Sequence, residues 1–336
     1  MRITIVGAGV AGLTCATEFS EQGFDVTLIA RSERIGDDSC SWYAGGMLAP
    51  WCEGESAEEP VVRLGQQAID WWDNHVDCVE RRGTLVLSHT RDASELRRFS
   101  RRTSAYEIVD ADRIEALEPD LAGRFRQGLF FPGEGHLDPR RALEQLAEKL
   151  RLRGVRLRLG TNQDKAAADS DLTVDCRGLA AKEVLSDLRG VKGEMLVIRS
   201  NEVTLHRPVR LLHPRIPLYI VPRGNGVFMV GATMIESGAG NRISVRSALE
   251  LLGAAFALDP ALAQAEILET GVDARPAFPD NLPRIRRRGQ TLYVNGLYRH
   301  GFLLAPVLAR MAVEAVTDPT KTPELMDENY PERQSA

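Results

Sequence analysis

Ile3-Thr4-Ile5-Val6-Gly7-Ala8-Gly9-Val10-Ala11-Gly12 reads as a short strand running into a glycine turn. Four consecutive β-branched residues suit a pleated, buried strand. Leu13 to Gln22 then follows as a helix, closed by Gly23, and Asp25 to Ile29 is a second strand. In such a β-α-β unit Gly7 permits the tight turn, Gly9 lets backbone approach a pyrophosphate, and Gly12 lets helix and strand pack closely. The helix start presents free N–H groups and partial positive charge to an anion. A glycine triplet alone is weak, but its place between strand and helix is the context that makes it a dinucleotide site.

The second strand should end, ~20 residues on, in an acid that holds the adenosine ribose. Here the end reads Leu28-Ile29-Ala30-Arg31, with Glu33 further along in the loop. Either Arg31 with backbone groups or a later residue holds the ribose. An arginine there also accepts a 2′-phosphate, so an NADP reading stays open at this level.

Beyond this unit, Ala44-Gly45-Gly46-Met47-Leu48-Ala49-Pro50 lies between Trp42, Tyr43 and Trp51. Small residues in a row let a backbone lie flat against a ligand, and exposed loops seldom carry so many aromatics. Residues 61–82 read as helical and Thr84 to Ser88 as a strand; Arg97, Arg98, Arg101 and Arg102 mark a solvated helix face. Asp138 and Pro139 cap the helix Arg140 to Arg151. Leu172 to Cys176 is a buried strand ending at Gly178, a second place where backbone can meet a nucleotide. Residues 191–235 alternate as antiparallel sheet, with Gly224-Asn225-Gly226 as a hairpin turn, and residues 244–258 form an amphipathic helix. Two arginine segments follow, Asp273-Ala274-Arg275-Pro276 and Asn295-Gly296-Leu297-Tyr298-Arg299-His300-Gly301. The second leaves the strand Leu292 to Val294 and enters an apolar helix, Leu303 to Val316, where Pro306 is tolerable in a first turn. The polar tail after Asp318 is expected to fray.

The 336 residues carry 42 Lys and Arg against 47 Asp and Glu, a net charge of −5, which speaks against nucleic acid as the main partner. Five cysteines without C-x-x-C spacing speak against a disulfide framework or zinc ribbon, and no metal is expected. The longest apolar stretch, Phe302 to Val316, holds Arg310 and Glu314, so membrane insertion is not expected and a cytoplasmic protein is.

In order along the chain, Ala44-Gly45-Gly46-Met47-Leu48, Val191-Lys192-Gly193-Glu194, Tyr219-Ile220-Val221-Pro222-Arg223, Val230-Gly231-Ala232-Thr233-Met234, Ala274-Arg275-Pro276 and Tyr298-Arg299-His300-Gly301-Phe302-Leu303-Leu304-Ala305-Pro306 form a specific set. From Ile3 to about Val316 the pattern resembles the D-amino-acid-oxidase-type flavoproteins, and within them the glycine oxidases of thiamine biosynthesis. The resemblance implies an α/β fold: a Rossmann-like FAD-binding domain (1–80, 133–185 and 271–336) and a second, antiparallel-sheet substrate domain (81–132 and 186–270). It implies FAD as cofactor. By position, Gly7, Gly9, Val10, Ala11, Gly12, Ala30 and Arg31 lie by its adenosine and pyrophosphate, Gly45, Gly46 and Met47 line the isoalloxazine, and Gly178 is a further contact. Arg299, His300, Gly301, Phe302 and Leu303 face the pyrimidine edge. Arg275 matches the carboxylate-binding arginine, Arg299 a second substrate contact, Tyr219 the pocket tyrosine and Met234 a pocket wall; Arg275, Tyr219 and Arg299 form the catalytic set.

Three positions depart from the family pattern: Ala30 for the ribose acid, Pro217 where relatives can place a histidine, and His300 for an asparagine. The resemblance implies oxidation of glycine or another small amine, hydride passing from Cα to flavin N5, with glyoxylate, ammonia and hydrogen peroxide as products and oxygen as acceptor. Alternatives at this level are a dehydrogenase for D-amino acids, proline or sarcosine that uses another acceptor, and a flavin subunit of a larger complex. The oligomeric state is open, and a homo-oligomer is compatible with the sequence.

Overall fold

The computed structural model describes residues 1–161, 170–213, 218–237, 240–318 and 320–327. Pro217 lies outside them. The chain packs into two compact units: Met1–Trp42, Leu143–Gly190 and Arg275–Ala336 form the first, Tyr43–Ala142 and Val191–Ala274 the second. This partition follows packing, whereas the boundaries expected from sequence follow the cofactor. Residues 43–80, 133–142, 186–190 and 271–274 therefore change sides between the two.

The first unit is built on a six-stranded sheet in the order Arg284–Arg288, Thr291–Asn295, Leu172–Asp175, Arg2–Val6, Asp25–Ile29, Arg156–Arg158. Its pairs are parallel except the first, a hairpin edge. Ile3, Ile5, Leu28 and Val174 are buried, as parallel strands covered on both faces require. The helix Val10–Glu21 packs along the helix Gly301–Thr317, and the Thr14 hydroxyl donates across to the Ala305 carbonyl at 3.3 Å.

The glycine turn is sterically enforced. Gly7 has φ +111°, and a Cβ there would lie 2.6 Å from the Cys176 carbonyl oxygen; at Gly12 it would lie 1.8 Å from the Gly7 oxygen. No L side chain fits either position.

Two expectations for this unit are corrected. The last long helix starts at Gly301, two residues earlier than expected, so Pro306 sits inside it and not in its first turn. Hydrogen bonding begins at once, Leu304 N–H donating to the His300 carbonyl, and Pro306 removes the bond that would run to Phe302. Nor does the tail fray throughout its described length. Leu325 is buried, Ile285 exchanges backbone bonds with Leu325 and Asp327, and Asp327 pairs with Arg286 at 3.1 Å.

The second unit holds an eight-stranded sheet in the order Glu266–Ala277, Arg189–Arg199, Val227–Gly231, Leu218–Pro222, Val209–Leu212, Thr84–Ser88, Gln127–Phe131, Glu107–Asp110. It is largely antiparallel; Val209–Leu212 and Thr84–Ser88 run parallel. One core cluster joins Leu85, Leu87, Ile198, Ile220 and Phe228 of this sheet to Leu251 and Leu258 of the helix Val245–Leu258. Residues 61–82 form two short helices, Glu59–Gly65 and Ala68–His75, before the strand Val79–Glu80. A small sheet sets Gly135–Leu137 between Met47–Leu48 and Val79–Glu80. Arg98 and Arg102 of the basic helix meet Glu55, so that face is charge-compensated.

Candidate active site

In the first unit the glycine turn opens onto hydroxyls. A Cβ at Gly9 would come nearest to the Ser41 and Ser39 side chains, at 3.2 and 3.4 Å, and the Ser41 hydroxyl accepts the Val10 N–H at 3.1 Å. Gly9 caps the helix Val10–Glu21 without a side-chain bond, and His300 does the same for Gly301–Thr317. A Cβ at Gly301 would stand 3.3 Å from the Val10 side chain. Two helix starts therefore lie side by side, their dipoles converging where an anion is favoured. Small residues, hydroxyls and N–H groups in this arrangement fit a dinucleotide pyrophosphate.

At the end of the second strand Ala30 is buried, its N–H donating to the Arg158 carbonyl and its own carbonyl accepting from Thr161, both at 3.0 Å. Arg31 is largely exposed and pairs with Asp38 at 3.3 Å, while Glu33 lies against Gly160.

The same unit brings both arginine segments together. Arg275 lies on the strand Glu266–Ala277 and Arg299 in the turn before Gly301–Thr317; both are partly buried. Tyr298, held at φ +49°, donates its N–H to the Pro276 carbonyl at 2.9 Å, which lays one segment on the other. His300 is 4% exposed, and its N–H closes the turn onto the Leu297 carbonyl. Gly178 borders this group, its carbonyl accepting from Asn295 Nδ2 at 2.9 Å. Phe302 and Leu303 are buried in the first helical turn.

In the second unit the Tyr219 ring packs against glycines. A Cβ at Gly45 would be 3.0 Å from its ring, and one at Gly231 3.1 Å. Gly46 has φ +69° and abuts Leu137, whose N–H donates to the Gly46 carbonyl at 2.9 Å. Met47 pairs with His136. The glycine loop is thus a packed inner segment of this unit, Gly45, Gly46, Leu48 and Ala49 all being buried. Met234 is half exposed in the segment after Val227–Gly231. Its neighbour Thr233 donates from its hydroxyl to Glu194 Oε2 at 3.1 Å, and Glu194 also takes the Ser244 N–H and the Lys192 ammonium. Burial opposes ionisation of Glu194, but donors from Ser247, Lys192, Ser244 and Thr233 outweigh it and hold its pKa below the ordinary value.

Sequence reasoning missed Ser39 and Ser41 beside Gly9. It quoted Glu194 and Arg223 inside motifs but gave them no task. Nothing local distinguishes them, because their partners are remote in sequence. Among the described residues no three His, Cys, Asp or Glu side chains gather as a metal site, and no helix is long and apolar enough to cross a membrane.

The fold, with its glycine turn between strand and helix, is that of an FAD-dependent oxidoreductase. The family described as FAD dependent oxidoreductase (DAO) matches residues 2–315, and the chain belongs to it. It is 58% identical over 310 residues to the Rhizobium etli protein named "Putative thiamine biosynthesis oxidoreductase ThiO", covering 92% of this chain and 94% of that one. It is 26% identical to the Pseudomonas aeruginosa glycine oxidase, with 94% of each chain covered. Glycine oxidase from Geobacillus kaustophilus superposes with a TM-score of 0.79 at 21% identity, over 96% of each chain, which shows the shared fold. FAD is the cofactor.

Proposed function

We propose that the protein oxidises glycine or another small amino acid or amine, in the thiamine thiazole pathway. The observation that carries this is the backbone bond from Tyr298 to Pro276, which places Arg275 and Arg299 on adjoining segments. The thiamine name of the Rhizobium etli relative and the activity named for the Pseudomonas relative support the reading.

Arg275 holds the substrate carboxylate, since a planar guanidinium matches it with two parallel charge-assisted bonds. Arg299 is the second substrate contact, the Tyr219 hydroxyl adds a hydrogen bond, and Met234 walls the pocket. These groups orient Cα–H and supply most of the protein's share of catalysis. Gly7, Gly9, Val10, Ala11 and Gly12 hold the pyrophosphate with Ser39 and Ser41; Ala30 and Arg31 lie by the adenosine, and Gly178 is a further contact. Gly45, Gly46 and Met47 line the isoalloxazine, and residues 299–303 face its pyrimidine edge, where the start of Gly301–Thr317 favours negative charge. When bound, FAD supplies a two-electron acceptor for the Cα hydride, so the substrate leaves as an imine that water converts to glyoxylate and ammonia, and oxygen takes the electrons as hydrogen peroxide.

The test is an anaerobic absorbance spectrum of the purified flavoprotein before and after glycine. Bleaching is expected. A spectrum that stays oxidised with glycine, sarcosine and D-proline alike would overturn the reading. Bleaching without oxygen consumption in air would replace the oxidase with a dehydrogenase.

A further inference from the structure

Arg223 follows the strand Leu218–Pro222, is partly buried, and among the described residues has no carboxylate within ion-pair distance. Its bonds go to backbone carbonyls instead. Nη1 donates to Leu137 at 2.8 Å, and Nη2 donates to Ala44 at 3.1 Å and Gly45 at 2.9 Å. Gly46, turned to φ +69°, brings chain 44–46 against Leu137 so closely that a Cβ would stand 2.2 Å from the Leu137 oxygen. The three carbonyls that take the guanidinium belong to two stretches of chain, and buried carbonyls need donors. A guanidinium reaches both stretches because its N–H groups spread in a rigid fork; a lysine ammonium offers one nitrogen. Burial lowers the Arg223 pKa to about 10, which leaves the fork fully protonated near neutrality.

The strand that delivers Arg223 also carries Tyr219, four residues earlier, with its ring against Gly45. Gly45 is therefore held from two directions by one strand, the ring at its Cα and the fork at its carbonyl. We propose that Arg223 is a positioning residue that clamps Ala44–Met47 onto the Tyr219 ring, and so fixes the surface those residues turn toward the cofactor. The inference rests on the reading that Gly45, Gly46 and Met47 line the isoalloxazine.

The experiment is hydrogen exchange on the full chain, with and without FAD, for the native protein, Arg223→Lys and Arg223→Met. Peptides spanning 43–49 and 134–139 report on the clamp, and those spanning 2–8 and 25–30 serve as references. Both variants are expected to exchange at least tenfold faster in the two reporter stretches, with the references unchanged. Loaded Arg223→Lys is expected to show an altered flavin absorption envelope and at least a tenfold lower kcat, with the glycine KM within threefold. Reporter stretches within twofold of native in Arg223→Lys would overturn the proposal, and that variant carries the test if Arg223→Met does not fold. The cofactor reading is judged separately, because FAD should slow exchange of 43–49 in the native chain. If FAD leaves it unchanged while the variants still exchange faster, the clamp stands and the placement of the isoalloxazine falls.

Discussion

Removing the carboxyl at Glu134 should change how stability depends on pH, with a slope set by its burial. Glu134 is 1% exposed; its Oε1 takes the Cys52 N–H at 2.7 Å, and its carbonyl takes the Gly83 N–H at 2.9 Å. Burial pushes its carboxyl up to about 7, against the pull of the Cys52 amide, the Thr84 hydroxyl and Arg210. The unfolded chain releases this proton near 4.5, so between there and pH 7 the folded chain carries the extra proton. Stability from this group is whole below pH 4.5 and is lost as pH rises to about 7. At 1.36 kcal/mol per unit the loss is roughly 3 kcal/mol. His136, two residues on and 4% exposed, acts oppositely. Burial, helped by the charges of Arg223, Arg82 and Arg207, holds its pKa down to about 3. Below pH 6.5 the unfolded chain therefore takes up a proton that the folded chain refuses. That stability is lost on acidification, by roughly 3 kcal/mol from pH 6.5 to 4.5.

In the native protein the two slopes oppose each other between pH 4.5 and 6.5. Glu134→Gln should expose one and His136→Gln the other. Urea unfolding in half-unit steps from pH 4.5 to 7.5, at a fixed saturating excess of FAD, measures them as variant-minus-native differences. The Glu134→Gln difference should rise by roughly 3 kcal/mol from pH 4.5 to 7, and the His136→Gln difference should fall by a similar amount from pH 4.5 to 6.5. Differences flat to within about 0.5 kcal/mol, the scatter of ordinary surface substitutions, would refute the reasoning.

Arg275→Met should raise the glycine KM for anaerobic flavin reduction roughly 30- to 150-fold, the loss of a charge-assisted pair of about 2–3 kcal/mol, with FAD content unchanged. Tyr219→Phe keeps the ring on Gly45 and Gly231 and should slow reduction only about three- to tenfold; Tyr219→Ala should also lower urea stability by about 3–5 kcal/mol. Gly46→Ala places a Cβ at φ +69° against the Leu137 oxygen, so a thermal scan should show at least about 1–2 kcal/mol of lost stability from the backbone alone.

The β-α-β start was legible because its signals are local. Strand preference, helix period and the need for glycine at a sharp turn act within some thirty residues, and the strand Asp25–Ile29 has the bounds expected of it. The arginine segments and the glycine loop were legible as motifs, through resemblance. Their neighbours were not. Arg223 meets Ala44 across 179 positions and Glu134 meets Cys52 across 82, and no periodicity encodes such pairs. Pro306 was misplaced because the helix starts at Gly301, where the turn through Tyr298 is held by the Pro276 carbonyl. The tail to Asp327 reads as polar and loose, yet the backbone of the edge strand Arg284–Arg288 takes it in. Sequence alone determined the opening strand, glycine turn, helix and second strand, because those follow from steric and solvation preferences of near neighbours. Tertiary structure decided which buried donor answers which carbonyl, because that depends on which strands come to lie side by side.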